Sequence, residues 1–116
     1  MKLSAVGEVE KEIWATRLQI RALQETAADL QIDSLDGLIS EMSERLTETQ
    51  EKKADTVEKV RQMIAAADVP AEVRKIFVMR YVEGRQWQEI AGKMYQSESN
   101  LFAIHRKYLK KIEGDE

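Results

Sequence analysis

Cysteine is absent from this 116-residue chain, so neither a disulfide framework nor a cysteine-based zinc site is part of its chemistry. One proline, Pro70, and five glycines are all the backbone punctuation it has. An all-β protein needs turn residues every ~8–12 positions, so that class is excluded. The single histidine, His105, has no second imidazole to share a metal with, and its expected role is packing or surface. No apolar run approaches the roughly 18 residues of a membrane span. The first residues, MKLSAVGEVEKEIW, lack the apolar core of an export signal. The acidic residues scatter over expected helix surfaces, with no set of nucleophile, base and orienting group to connect. The expectation is therefore a non-enzyme without a cofactor, kept off membranes.

What is present is charge and helix-forming side chains. Charged residues make up 34% of the chain and apolar ones 43%, in long Glu, Lys, Gln, Ala and Leu runs that favour helix. The net charge of −3 is unevenly spread. Residues 1–70 hold 9 Lys/Arg against 14 Asp/Glu, whereas residues 71–112 hold 9 against 4. Only the short tail Glu113-Gly114-Asp115-Glu116 breaks that basic character. An acidic half followed by a basic half is the asymmetry expected when one part alone meets phosphates.

The fold class expected is all-α: a long N-terminal helical hairpin over residues 1–68, then a three-helix helix-turn-helix module over 69–116. In the first helix, Val6 to Leu30, the apolar positions Val6, Val9, Ile13, Ile20, Leu23, Ala27 and Leu30, with Thr16, alternate at spacings of three and four. Trp14 and Leu18 lie beside that seam and widen it. One narrow stripe needs a partner helix, from this chain or from a second copy, and both readings stay open. The chain breaks at Gln31-Ile32-Asp33-Ser34, where Asp33 or Ser34 can cap a second helix from Leu35 to Ala67. Its early seam is Leu35, Leu38, Ile39, Met42 and Leu46, and its late seam is Val57, Val60, Ile64 and Ala67. The polar stretch TETQEKKADT between them has neither Gly nor Pro, which favours continuous helix over a flexible break. On that reading the first half pairs with helix one and the second half reaches the C-terminal module.

Asp68-Val69-Pro70 ends the second helix, because the residue before proline is pushed out of helical geometry. A third helix starts near Pro70 with Val73, Ile76, Phe77 and Tyr81 on one face, and Gly84 ends it. A fourth starts near Gln86 or Trp87 with Trp87, Ile90, Ala91 and Met94 inward. Tyr95-Gln96 forms a short turn, and Ser97 is the natural N-cap of a fifth helix carrying Leu101, Ile104, Tyr108, Leu109 and Ile112. Met42, Met63, Met79 and Met94 read as core fillers.

Two short helices joined by a tight turn and packed on a third can lay the second of the pair in a major groove about 12 Å wide. The candidate base-contact residues are then Ser97, Glu98, Ser99, Asn100, Phe102 and Ala103. The candidate phosphate contacts are Arg85, Lys93, Arg106, Lys107, Lys110 and Lys111. Asn100 can pair with adenine, and Phe102 or Ala103 can touch a thymine methyl. The plainer readings are a solvated basic face for the lysine pairs and peripheral core for Phe102.

Residues 72–112 resemble region 4 of bacterial sigma factors, on Arg80-Tyr81, Gly84, Trp87-Gln-Glu-Ile-Ala91, Met94, Ser97, Leu101, Ile104, Lys107, Leu109 and Ile112. RYVEGRQWQEIA together with His105 also looks like a group of small phage and prophage regulators with a helical N-terminal hairpin. The resemblance implies a transcription regulator in a bacterial cytoplasm, with double-stranded DNA as partner. It also implies RNA polymerase as a possible partner and a possible homodimer through the N-terminal helices. Sigma factors carry arginine at several base-reading positions where this chain has none, so a different DNA site, or weaker binding, is implied. The alternatives are an adaptor that grips polymerase or another host factor through the sigma-like module, and a DNA-packaging or structural oligomer.

Overall fold

The helix-favouring composition resolves into helices joined by short connections. The computed structural model describes residues 1–30 and 33–114, so the expected break at Gln31-Ile32 and the tail residues Asp115 and Glu116 lie outside the described residues. The described helices are α1 (Ala5–Leu30), α2 (Asp36–Ala66), α3 (Ala71–Tyr81), α4 (Trp87–Met94) and α5 (Glu98–Glu113). A single 3-10 turn, Asp33–Leu35, leads into α2, so Ser34 sits within that turn, and the side chain of the other expected cap, Asp33, lies outside the described residues. Helix α2 runs unbroken through residues 47–56, as the lack of Gly and Pro there suggests.

Two compact units form along the chain: Met1–Gly7 with Thr56 onward, and Glu8–Asp55. This differs from the expected boundary at 68/69. The reason is apolar burial. Leu3, Val6, Val60 and Ile64 share one core with Val69, Val73, Phe77 and Ile112. Val6, read from its spacing as the start of the hairpin seam, belongs to this core, and Leu3, one further step back, is fully buried in it.

Within the unit containing the C-terminal helices, α3 is apolar on two sides. Val73 and Phe77 enter the core just described, while Ile76 and Met79 enter a second one with Ile90 and Leu101. Trp87, Ala91, Met94 and Ile104 pack around the second core, and Ile104 also packs against the first. Burying an apolar side chain such as that of Phe77 contributes about 1.5–3 kcal/mol, and α3 buries four, Val73, Ile76, Phe77 and Met79. Pro70 stands at the N-cap of α3, with φ −56°. Arg74 donates to the carbonyl of Ala67 at 3.0 Å, satisfying an acceptor just past the last turn of α2. Gly84 takes φ +70°, a conformation costly for any residue with a β-carbon, and this lets the Arg85 N–H return to the Met79 carbonyl at 2.9 Å.

Glu113 closes this unit. Its side chain is only 8% exposed, accepts the backbone N–H of Leu3 at 2.8 Å and stands 3.9 Å from the Lys2 ammonium. In the sequence it belongs to the short acidic tail; in the fold it holds the first residues against the end of α5.

In the unit Glu8–Asp55, Glu10 and Glu12 of α1 meet Lys53 and Lys52 of α2 at 3.0 and 3.8 Å. Farther along, Gln19, Ala22 and Leu23 face Leu38, Met42 and Arg45 across an open groove of about 500 Å³. Rising numbers on one helix meet falling numbers on the other, so the pair is antiparallel. Val9, Ile13 and Thr16 are buried, but Leu30 and Leu38 are exposed. Trp14 does not widen the buried seam: it is 64% exposed, and Leu18 is exposed with it.

Replacing Glu113 with alanine leaves the buried Leu3 N–H without an acceptor, which should lower stability by about 1–3 kcal/mol. Urea denaturation should show a lower midpoint for Glu113→Ala and a smaller loss for Glu113→Gln, which keeps an acceptor oxygen. Equal midpoints for Glu113→Ala and wild type would remove the clasp from the account.

Candidate nucleic-acid interface

Helix α5 is positioned by its apolar stripe. Leu101 and Ile112 are buried, and Ile104, Tyr108 and Leu109 are partly so. At 100° per residue this turns Ser99, Phe102, Ala103, Arg106 and Lys110 to the opposite face, flanked by Asn100, Lys107 and Lys111, and all of these are exposed. The helix begins as its sequence requires. Ser97 is extended, and its Oγ accepts the Asn100 N–H at 3.1 Å. Ahead of it, Tyr95 ends α4 in the left-handed region, at φ 55° and ψ 41°, and the Gln96 N–H reaches the Ala91 carbonyl at 3.0 Å.

The sequence-predicted base-contact residues fall into distinct situations. Ser97 is occupied as a cap. Glu98 sits in the first turn, where the helix dipole favours a carboxylate. Ser99 and Ala103 are exposed without further role in the fold. The Asn100 side-chain amide donates to Gln96 Oε1, so a base must displace that bond to be read. Phe102 is 41% exposed and stands edge-on to Trp87, with ring centroids 5.6 Å apart. Phe102 is thus partly packed against Trp87 and partly exposed.

The phosphate candidates also divide. Arg106, Lys107, Lys110 and Lys111 lie on the exposed faces of α5, with Lys110 and Lys111 in its last turn, where the dipole favours cations. Lys93 is exposed in the last turn of α4. Arg85 is different. It pairs with Glu83 at 2.6 Å and with Glu89, and these bonds raise its pKa above the usual arginine value. Two carboxylates already compensate its charge, so it is the weakest of the six phosphate candidates. Arg85 lies in the loop before α4, so helical spacing gave no sign of this pairing.

Behind this face lies an aromatic cluster that accounts for the RYVEGRQW stretch. The His105 ring stacks on Phe77 at 5.5 Å and on Tyr81 at 5.9 Å, and meets Trp87 edge-on at 5.2 Å. Its Nε2 lies 2.5 Å from the Tyr81 hydroxyl. The Arg80 guanidinium lies 5.0 Å over the Trp87 ring and donates to the Arg85 carbonyl at 3.1 Å, fastening the loop between α3 and α4. Arg80 and Tyr81 are thus framework residues, and His105 joins α5 to α3. Periodicity could not show this, because stacking partners 24 residues apart leave no local pattern.

Burial holds the His105 imidazole below the ordinary histidine pKa of 6.5; the nearby positive Arg80 adds to this and Glu113 opposes it. The Tyr81 hydroxyl and His105 Nε2 share one hydrogen bond, and the imidazole tautomer sets which of them donates. Burial is also the main cause that pushes the Tyr81 phenol upward; Arg80 opposes it and Glu113 adds to it.

Among the described residues no helix is long and apolar enough to cross a membrane. Compared with known protein families, curated proteins and solved structures, the chain has no match. The likeness to sigma region 4 therefore rests on the residues quoted for it above.

A histidine kept neutral by its fold contributes stability that is complete above its unfolded pKa and declines as pH falls below it. Melting temperature should drop as pH goes from 7.5 to 5.5, and a His105→Gln variant should be flatter over that range. Parallel curves for the two proteins would show that His105 is not the group titrating.

Proposed function

We propose that the chain is a sequence-specific double-stranded DNA-binding protein, acting as a transcription regulator of phage or prophage type, that lays α5 in the major groove. The carrying observation is the outward face of α5. Ser99, Asn100, Phe102 and Ala103 are exposed in its first half, and Arg106, Lys107, Lys110 and Lys111 follow them. Residues near a helix start can address base edges while cations farther along neutralise the backbone. The packing of α3, α4 and α5 around Ile76, Ile90 and Leu101 supplies the rigid platform such a helix requires. The resemblance to sigma region 4 points the same way.

On this reading Asn100 is the base reader, exchanging Gln96 for adenine. Phe102, braced by Trp87, offers an apolar edge to a thymine methyl. Arg106 and Lys110 fix register on the backbone. A second reading, an adaptor that grips RNA polymerase or another host factor, draws support from Arg85 and Glu98. The first is held by Glu83 and Glu89, and the second puts negative charge where a groove would approach.

Selection from a random duplex library tests the first reading, and affinity should fall steeply with salt through counterion release. Arg106→Ala should weaken binding to all sequences and shallow the salt slope by about 1. Asn100→Ala should cost about 1–3 kcal/mol of discrimination at one base pair and leave other positions unchanged. An unaltered selected sequence for Asn100→Ala would refute the assignment of α5 as reader. Retention of polymerase in a pulldown, with no duplex bound at low salt, would replace the DNA reading with the adaptor one.

A further inference from the structure

Tyr95 is the one described non-glycine residue with a positive φ, 55°, and it is 94% exposed. Each half of that observation is unusual for a tyrosine. The left-handed conformation brings a β-carbon against the following carbonyl, which is why glycine or asparagine commonly ends a helix in this way. The local bonds at this turn are backbone ones, the Tyr95 and Gln96 N–H groups both reaching the Ala91 carbonyl, so glycine would make them equally well. Packing does not account for the ring, because almost all of it is in solvent. The left-handed conformation serves the fold by ending α4 on the Ala91 carbonyl, but the β-carbon and the exposed ring at that position do not. Backbone strain kept at a position of this kind marks function more often than stability.

The placement says which function. Tyr95 is two residues before the Ser97 cap, beside the end of α5 that carries Ser99, Asn100 and Phe102. A side chain on that turn stands beside the end of α5 and within reach of whatever the helix approaches. Tyrosine hydroxyls are among the groups that hydrogen-bond DNA phosphates and position a protein on the duplex. Resting on the DNA-binding reading above, we infer that Tyr95 is a DNA backbone contact. Its hydroxyl donates to a phosphate oxygen at the edge of the groove that α5 enters, and the left-handed turn aims it there. It is a neutral contact alongside the cationic ones of Arg106 and Lys110, and it orients α5 without reading sequence.

The experiment measures binding of a fluorescent random-sequence 30-base-pair duplex at low salt, with melting temperatures taken in parallel. Tyr95→Phe removes only the hydroxyl, and Tyr95→Gly removes the ring and the strain. Both should bind about three- to tenfold more weakly, the loss of one hydrogen bond, while Tyr95→Gly melts no lower than wild type. Wild-type affinity in both variants would overturn the inference and leave Tyr95 to a protein contact. A loss in Tyr95→Gly with none in Tyr95→Phe would overturn the hydroxyl's role. A markedly lower melting temperature for Tyr95→Gly would show the ring to be structural and overturn it as well. Failure of the wild-type protein to bind any duplex is a separate result, and it removes the DNA reading itself.

Discussion

Helix α3 has to be buried on two sides at once, and the unit built around it follows from that. An 11-residue helix carrying Val73, Ile76, Phe77 and Met79 cannot satisfy all four against one neighbour. The Val73–Phe77 side takes up the end of α2, the residues around Leu3 and Val6, and Ile112 of α5. The Ile76–Met79 side takes up α4 and the start of α5. With both cores full, α5 has little freedom left, because Leu101 belongs to one core, Ile112 to the other, and Ile104 touches both. Such a helix presents its remaining face rigidly, which recognition requires.

The aromatic cluster sharpens that constraint. His105 sits between Phe77, Tyr81 and Trp87, and Trp87 in turn supports Phe102 on the exposed side. Burial of the imidazole and orientation of an exposed ring are therefore linked through one tryptophan. Arg80 completes the arrangement by covering Trp87 and tying down the loop before α4. The Glu8–Asp55 unit is built differently. Its two helices are joined by surface ion pairs at one end and by an open groove farther along, with Trp14 and Leu18 left in solvent. Exposed ion pairs contribute little each, typically under about 1 kcal/mol, and the largest fully buried side chains, among them Phe77, Leu3, Ile64 and Ile90, all belong to the other unit.

The positions that frame α5 and those that would read DNA obey different physics. Framework positions are set by burial and caps, as Gly84, Ile90, Ser97, Leu101 and Ile112 show, with Tyr95 the one residue ill suited to its turn. The exposed positions are little constrained by packing, apart from Phe102 against Trp87 and Asn100 bonded to Gln96, so the fold hardly dictates their chemistry. The proposed readout therefore depends on a small polar and apolar set, Ser99, Asn100, Phe102 and Ala103, with charge supplied by the second half of the helix and not by its start.

By itself the sequence determined the helices and most of their ends. Pro70 stops α2, Gly84 supplies the positive φ after α3, and Ser97 caps α5; all three act through backbone rules that operate within a few residues. The inward stripe of α5 and the late seam of α2 were legible from periodicity for the same reason. Tertiary structure alone decided where the units divide, because Leu3 and Val6 find their partners some 70 residues away in Val73 and Phe77. It also decided that Glu113 clasps the first residues, that His105 is a neutral link between helices, and that Arg85 is already compensated. Each of these depends on which distant groups share a small volume, and hydrophobic periodicity carries no record of that.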